Sequence, residues 1–307
     1  MSAPSSPELL TVIGGSGPVA RPIVDELIEL GFRVRLLARS ADKVAQRYPA
    51  AEVVQGSMLD ERAVARAMRG AATTLLITPI GPRNDAAYEI AAARPTIEAA
   101  RRLETTSVIF VSTLAGGRRT GVALLDAKVE IEALLERSGV PWTALRCGTY
   151  MEDVIDSRTN WIDRGLFFFP VRRHLPFHFT EQRDVARAVR ALVDRRRMLM
   201  AAVDLVDPTT YTPAGVARLM SEVCGRPIRA TGRVPILWLL YLAWPYFHLR
   251  RHRMSTIIPL IRYFNRQGYR GDGQRLSQAL PGWTATTLPD HLRALLGRER
   301  RPVNGDV

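Results

Sequence analysis

The sequence predicts an α/β fold: a doubly wound parallel sheet with a smaller C-terminal lobe. Three observations predict it. Short β-rich runs alternate with helical patterns through the first half of the chain. A glycine-rich turn separates the first strand from the first helix. The 307 residues, 47% hydrophobic and 24% charged, suffice to bury a sizeable core.

Taken in order, "LLTVIGG" reads as a strand ending in glycines, and "ARPIVDELIEL" repeats its apolar residues at helical spacing until Gly31 stops it. "RVRLLAR" is a second strand, "ADKVAQRYP" a short helix, "EVVQGS" a third strand, "DERAVARAMRG" a helix and "TTLLITP" a fourth strand. The helix around "AAYEIAAARPTIEAARRL" is expected to bend or restart near Pro95, which lacks an N–H. "SVIFVST" and "WTALRCG" follow as strands five and six, flanking the helix "LLDAKVEIEALLERSG", and "RDVARAVRALVD" with "AAVDLVD" forms a last α/β pair. Residues 8–148, completed by 181–212, thus make the sheet domain. Residues 149–180 and 213–296 make the small lobe, and 1–7 and 297–307 are expected to be flexible tails.

Composition narrows the partners. Cys147 and Cys224 lie far apart with no Cys/His cluster, which argues against a disulfide framework or zinc site and for a reducing, cytoplasmic compartment. The N-terminus lacks the basic and apolar regions of a signal peptide. The longest apolar run, 234–249, is too short to span a bilayer. With "RRHR" after it, the segment 234–253 reads as a core helix of the lobe, a lid, or a peripheral membrane contact. The net charge is +13, with nine arginines against one acid, Asp272, between Arg229 and Arg275. No nucleic-acid-binding motif accompanies this charge, so an arginine-rich solvated surface is the better reading. Pro176 interrupts the pair His174 and His178, while His248 and His252 sit among arginines, so no metal site is expected.

The turn "TVIGGSGPVA" places Gly14, Gly17 and Ala20 in a GxxGxxA arrangement between strand and helix. Small residues there let backbone approach a pyrophosphate at a helix N-terminus, where unpaired N–H groups and the helix dipole favour anions. In this setting the turn points to a Rossmann dinucleotide site formed by Gly14, Gly15, Ser16, Gly17, Pro18 and Val19. After the second strand, where an acid would accept from the ribose hydroxyl of NAD, stand Arg39, Ser40 and Lys43. They suit a 2′-phosphate, so NADP(H) is expected over NAD(H). Asp60 has two readings, a partner for the adenine amino group or the N-cap of the next helix. Thr78, ending the fourth strand, completes the cofactor candidates.

These motifs, "VIGGSGPVA", "LLARS", "GSMLD", "VIFVST" and above all "AKVEIEALLERSGVPWTALRCGTYMED", resemble those of the NmrA-like branch of atypical short-chain dehydrogenases/reductases. The resemblance continues to "LPGWTATTLPDHLRALL" and implies an NAD(P)H-binding fold. In the wider superfamily an active-site lysine follows a tyrosine by four residues. Lys128 occupies the lysine slot, and position 124 is Leu. Only Lys43 and Lys128 are lysines among the 43 basic residues. Leu124 cannot donate a proton, and general-acid help is worth ~10²–10⁴-fold in ketone reduction. Reduction of a quinone or activated double bond depends on it less.

Lys128 is therefore expected to bind the nicotinamide ribose, stabilise an oxyanion or donate a proton, against the alternative of a solvated pair with Glu132 at i+4. Ser112 and Thr113 are placed to orient a substrate oxygen or to satisfy backbone at a strand end. Tyr150 is the nearest replacement acid or an apolar wall. The aromatic lobe, with Trp161, Phe167 to Phe169, Phe177, Trp238 and Trp244, suits a small planar substrate unless it is simply core. The expected function is NADPH-dependent hydride transfer to a small apolar carbonyl, quinone or enone, as a monomer or homodimer. The alternatives are an NADP(H)-holding redox sensor or a non-redox tailoring enzyme such as an isomerase.

Overall fold

The computed structural model of the protein describes residues 8–79, 86–103, 107–115, 118–155, 162–196, 198–231, 242, 246 and 254–299. In chain order the strands are β1 (Leu9–Ile13), β2 (Arg33–Ala38), β3 (Glu52–Gln55), β4 (Thr73–Leu76), β5 (Ser107–Thr113), β6 (Trp142–Cys147), β7 (Thr149–Tyr150), β8 (Leu166–Phe168), β9 (Phe179–Thr180), β10 (Ala201–Leu205) and β11 (Arg229–Thr231). The helices are α1 (Ala20–Glu29), α2 (Ala41–Arg47), α3 (Glu61–Met68), α4 (Ala86–Leu103), α5 (Ala123–Ser138), α6 (Met151–Ile155), α7 (Gln182–Asp194), α8 (Pro213–Cys224), α9 (Met254–Gln267), α10 (Gln274–Ala279) and α11 (Leu288–Glu299).

Seven strands form one parallel sheet in the order β10-β6-β5-β4-β1-β2-β3. The chain winds outward from β1 through β2 to β3, then returns to β4 on the other side of β1. The carboxyl ends of β1 and β4 therefore diverge into a crevice. Alternation along each strand divides the core. Leu10 and Val12 pack with Ile23, Val24 and Leu27 of α1 and Val185, Val189 and Leu192 of α7. Ile13, Leu76 and Phe110 pack with Val64 and Met68 of α3, Ile97 of α4 and Ile131 and Leu135 of α5.

Local signals place the helix ends. Asp60 Oδ1 accepts from the backbone N–H of Arg62 and Ala63, capping α3. Thr212 accepts from Gly215 N–H with Pro213 beside it, opening α8. Gly139 and Gly225 adopt left-handed backbone after α5 and α8. The expected interruption at Pro95 does not occur: α4 is one helix with Pro95 inside it. Its inner face, including Ala93, Ile97 and Ala100, packs on the sheet core and holds the helix together across the missing N–H.

The smaller assembly is built on the pairs β8 with β11 and β7 with β9. Phe167, Phe177 and Phe179 are fully buried there, and Phe169 meets Phe177 edge to face at 5.0 Å. These aromatics are core rather than walls of a substrate pocket. Trp161, Trp238, Trp244, His248 and His252 lie outside the described residues, as does the run 234–253 apart from Leu242 and Tyr246. The last helix runs on to Glu299, three residues past the expected lobe boundary.

Buried acceptors tie the C-terminal segment to the sheet domain. Asp204 Oδ2 accepts from Asp272 N–H, Asp207 Oδ2 from Leu288 N–H at the start of α11, and Asp184 from the N–H and hydroxyl of Thr286. His178 joins them: Nδ1 accepts from Gly271 N–H at 3.0 Å, so Nε2 carries the proton toward Thr210 Oγ1, also at 3.0 Å. Burial lowers the His178 pKa, and Arg270 acts in the same direction against Asp207 and Asp272. The unfolded chain therefore takes up this proton first, and the stability His178 contributes is lost as pH falls from about 7 through 6.5. Urea unfolding of wild type and His178→Asn between pH 7.5 and about 5 is expected to show the wild type's advantage shrinking on acidification. Parallel curves would contradict this assignment.

Candidate functional site

The glycine turn sits at the crevice between β1 and β4, and its glycines answer different demands. Gly14 has φ +91°, and a Cβ there would stand 1.9 Å from the Ile77 carbonyl oxygen. Gly15 is hemmed by Leu36, Val12 and Val24 side chains. Packing thus dictates both residues. Gly17 differs: among the described residues its Cβ would meet nothing nearer than Gly14 O at 4.0 Å, so packing against them does not require a glycine there. The following helix α1 has no side-chain cap and no acid in its first turn, which leaves the positive end of its dipole available to an anion.

Next to this turn, Arg39 and Ser40 follow β2 and are exposed, as is Lys43 on α2. Among the described residues, none of their side chains is engaged in a hydrogen bond or ion pair. Ser16 and Pro18 are exposed, and Val19 is half-buried. Asp60 is on the same edge, with Oδ1 occupied by its cap.

Lys128 is buried, and its partner is not Glu132. Its Nζ lies 2.7 Å from Glu89 Oε1 and donates to Thr78 Oγ1 at 2.7 Å, with the Val111 carbonyl at 3.4 Å and the Phe110 ring beneath it at 5.1 Å. Thr78 in turn donates to Glu89 Oε1 at 2.6 Å. The three side chains close a polar triangle joining the end of β4 to α4 and α5. Glu132 is also buried but reaches the other way, gripping Arg146 with Nη2–Oε2 at 2.6 Å and accepting from Ser112 Oγ at 2.5 Å. The i+4 spacing put both residues on the inner face of α5, and separate counterparts on the sheet then divided them.

Ser112 and Thr113 do not act as a pair, because successive strand residues point to opposite faces. Ser112 is committed to Glu132. Thr113 Oγ1 is sealed from solvent and faces the buried Tyr269 hydroxyl rather than an open site. Tyr150 packs against the α1/α7 core. Burial drives its pKa well above the ordinary range, reinforced by the adjacent Cys147, and the Cys147 thiol is itself pushed up by burial to about 12. Both hold their protons tightly. Leu124 lies half-buried at the start of α5, where it and Tyr263 of α9 pack on a small cluster of Ala115, Val122 and Leu125. His178 is committed as described and His174 is exposed, so this pair does not converge.

Sequence reasoning missed Glu89, and named Glu132 only as a partner for Lys128 rather than for Arg146 and Ser112. The signal for Glu89 was present: it is an acid on the face of α4 that carries Ala92, Ala93 and Thr96 inward. A lone charge on an apolar face requires a buried partner.

A parallel sheet with its switch point at β1/β4, and an open glycine turn beneath it, defines a Rossmann-type nucleotide-binding chain. More particularly, the chain belongs to the NmrA-like family, whose family model matches residues 6–279. It is 28% identical over 227 residues to a (4-alkanoyl-5-oxo-2,5-dihydrofuran-3-yl)methyl phosphate reductase of Streptomyces griseus subsp. griseus, covering 72% of this chain and 76% of that one. An NADPH-dependent quinone oxidoreductase of Escherichia coli, solved with NADPH, superposes with TM-score 0.74 at 19% identity over 94% of this chain and 99% of its own. NmrA, a negative transcriptional regulator solved with NADP, superposes with TM-score 0.66 at 15% identity, covering 98% and 99% of the two chains. No helix among the described residues is long and apolar enough to cross a membrane.

Two stability outcomes follow. Gly14→Ala is expected to cost at least about 2 kcal/mol through clash and backbone strain, whereas Gly17→Ala changes the unfolding free energy by less than about 0.5 kcal/mol. Removing one member of the buried pair by Glu89→Ala is expected to cost about 3 kcal/mol or more. The double variant Glu89→Gln/Lys128→Met should lose less than that single change. Chemical denaturation of the four variants reads both comparisons, and a double variant that loses as much as Glu89→Ala or more would refute the pairing.

Proposed function

We propose that the protein is an NADPH-dependent reductase of small, planar, electron-poor acceptors, with quinones and conjugated enones foremost. The observation that carries the reading is Gly17, a glycine that no neighbour among the described residues requires, at the mouth of an uncapped helix. The backbone from Gly14 to Val19 and the first turn of α1 would hold the pyrophosphate. Arg39 would pair with the 2′-phosphate, with Ser40 and Lys43 adding donors. Asp60, already capping α3 through Oδ1, keeps Oδ2 for the adenine amino group.

When bound, NADPH supplies the hydride. The chain's own contribution is an ordered positive charge: Glu89 and Thr78 hold the Lys128 ammonium at the edge of the crevice, where it orients the ribose side of the site and favours a developing anion. Leu124 contributes no proton. A quinone or enone tolerates this, because the anion formed on reduction is delocalised and takes its proton from water. The names of the relatives point to the same chemistry, since a butenolide phosphate and a quinone are both conjugated acceptors.

A second reading, an NADP(H)-holding sensor, is favoured by one observation. All three Lys128 donors face protein acceptors, so none is free for substrate. NADPH oxidation against a panel of quinones, enones and simple ketones separates the two readings. Turnover of quinones or enones but not ketones is expected, lost in Glu89→Gln/Lys128→Met with NADPH still bound. Arg39→Ala is expected to weaken NADPH by roughly 10- to 100-fold and to leave NADH affinity unchanged. Tight NADPH binding without turnover of any acceptor would decide for the sensor, and no dinucleotide binding would overturn both.

A further inference from the structure

Where α7 begins, β7 and β9 bring together residues that the reading of the dinucleotide site leaves without a role. Their parallel register pairs Thr149 with Phe179 and Tyr150 with Thr180. The residues that follow, Glu152 on α6 and Glu181 at the start of α7, therefore emerge side by side. Glu152 Oε1 accepts from the Gln182 N–H at 2.9 Å, which fixes that carboxylate against the first turn of α7. His291 arrives from α11, a helix whose start is held by Asp207 through the Leu288 N–H. One ligand atom from each of Glu152, Glu181 and His291 lies within 4.8 Å of the others.

Two independent details point to a missing cation. Glu152 Oε2 is sealed from solvent and, among the described residues, meets no hydrogen-bond donor. An acceptor in that position is costly unless something positive meets it. The His291 Nδ1 to Glu181 Oε1 distance is 3.3 Å, long for a charge-assisted hydrogen bond of about 2.7–2.9 Å. It matches the edge of a tetrahedral site, because two bonds of about 2.0–2.1 Å at the tetrahedral angle hold their ligand atoms roughly 3.3 Å apart. The His291 and Glu181 side chains are only 11% and 19% exposed, so the group is shielded yet reachable.

We propose that Glu152, Glu181 and His291 bind a divalent transition-metal ion of the Zn²⁺ type, which cross-links α6, the start of α7 and α11. One imidazole nitrogen and two carboxylates suit Zn²⁺ or Co²⁺. Calcium, which takes six to eight oxygens, and magnesium, which demands octahedral oxygen ligands, are poorly matched. Three protein ligands leave a coordination position for water. Binding requires His291 Nδ1 to be unprotonated and its ring N–H to move to Nε2. The role is structural, clamping the C-terminal helix to the elements that follow β7 and β9, and it is independent of the reductase reading.

The test uses the full chain without dinucleotide, stripped with chelator and desalted. Zn²⁺ is titrated by calorimetry, and Co²⁺ by its visible d–d absorbance. One equivalent of each is expected, with Zn²⁺ displacing the Co²⁺ spectrum and raising the melting temperature. Glu152→Gln and His291→Asn, checked for fold by circular dichroism, should each weaken binding by about 100-fold or more and abolish the Co²⁺ bands. Should either fail to fold, Glu181→Gln replaces it with the same expectation. Absence of stoichiometric binding to the wild type, or binding unchanged in the folded variants, would overturn the proposal and leave an ordinary Glu181–His291 contact beside Glu152.

Discussion

The structure depends on the burial of one parallel sheet on both faces. Its central strands carry apolar side chains toward helices on either side, and their backbone groups are consumed in the ladder, so polar chemistry is confined to the edge where the strands end. The winding reversal between β1 and β4 then selects one place along that edge. Gly14 shows how tight the arrangement is: the turn passes so close to the Ile77 carbonyl that no side chain fits.

The two ion pairs under this edge are the places where the sheet's apolar rule is broken. Lys128, Glu89 and Glu132 are buried and Arg146 is half-buried, and buried charge persists only when paired and hydrogen-bonded. Thr78 and Ser112 supply the additional bonds. Both pairs link a helix of the α4/α5 layer to another element at the carboxyl edge, so they fix the helix layer against the strand ends. Lys128 in the wider superfamily's lysine slot thus has a charge whose position is set by α4, an element to which the YxxxK spacing makes no reference.

The C-terminal part is attached by a different device. Asp184, Asp204 and Asp207 accept backbone N–H groups from residues far along the chain, and His178 does the same for Gly271. Burial raises the pKa of all three aspartates. Their hydrogen bonds oppose that shift. The N–H groups of Gly271, Asp272, Thr286 and Leu288, on either side of α10, are therefore satisfied by side chains from distant elements.

The sequence by itself determined the parallel α/β architecture, the order of its elements and the glycine turn, and offered the Asp60 cap as one of two readings, because each rests on local periodicity or on the conformational needs of a few adjacent residues. It also placed Lys128 and Leu124 on the helix that approaches the sheet's edge. Only the tertiary structure decided that Lys128 pairs with Glu89 rather than Glu132, that Ser112 and Thr113 face opposite ways to different ends, that α4 passes through Pro95 unbroken, and that Glu152, Glu181 and His291 meet. The reason is physical. A helix or strand pattern specifies which face is buried, whereas the partner of a buried charge is whichever counter-charge the packing of another element brings within about 3 Å, and that element lies tens to more than a hundred residues away.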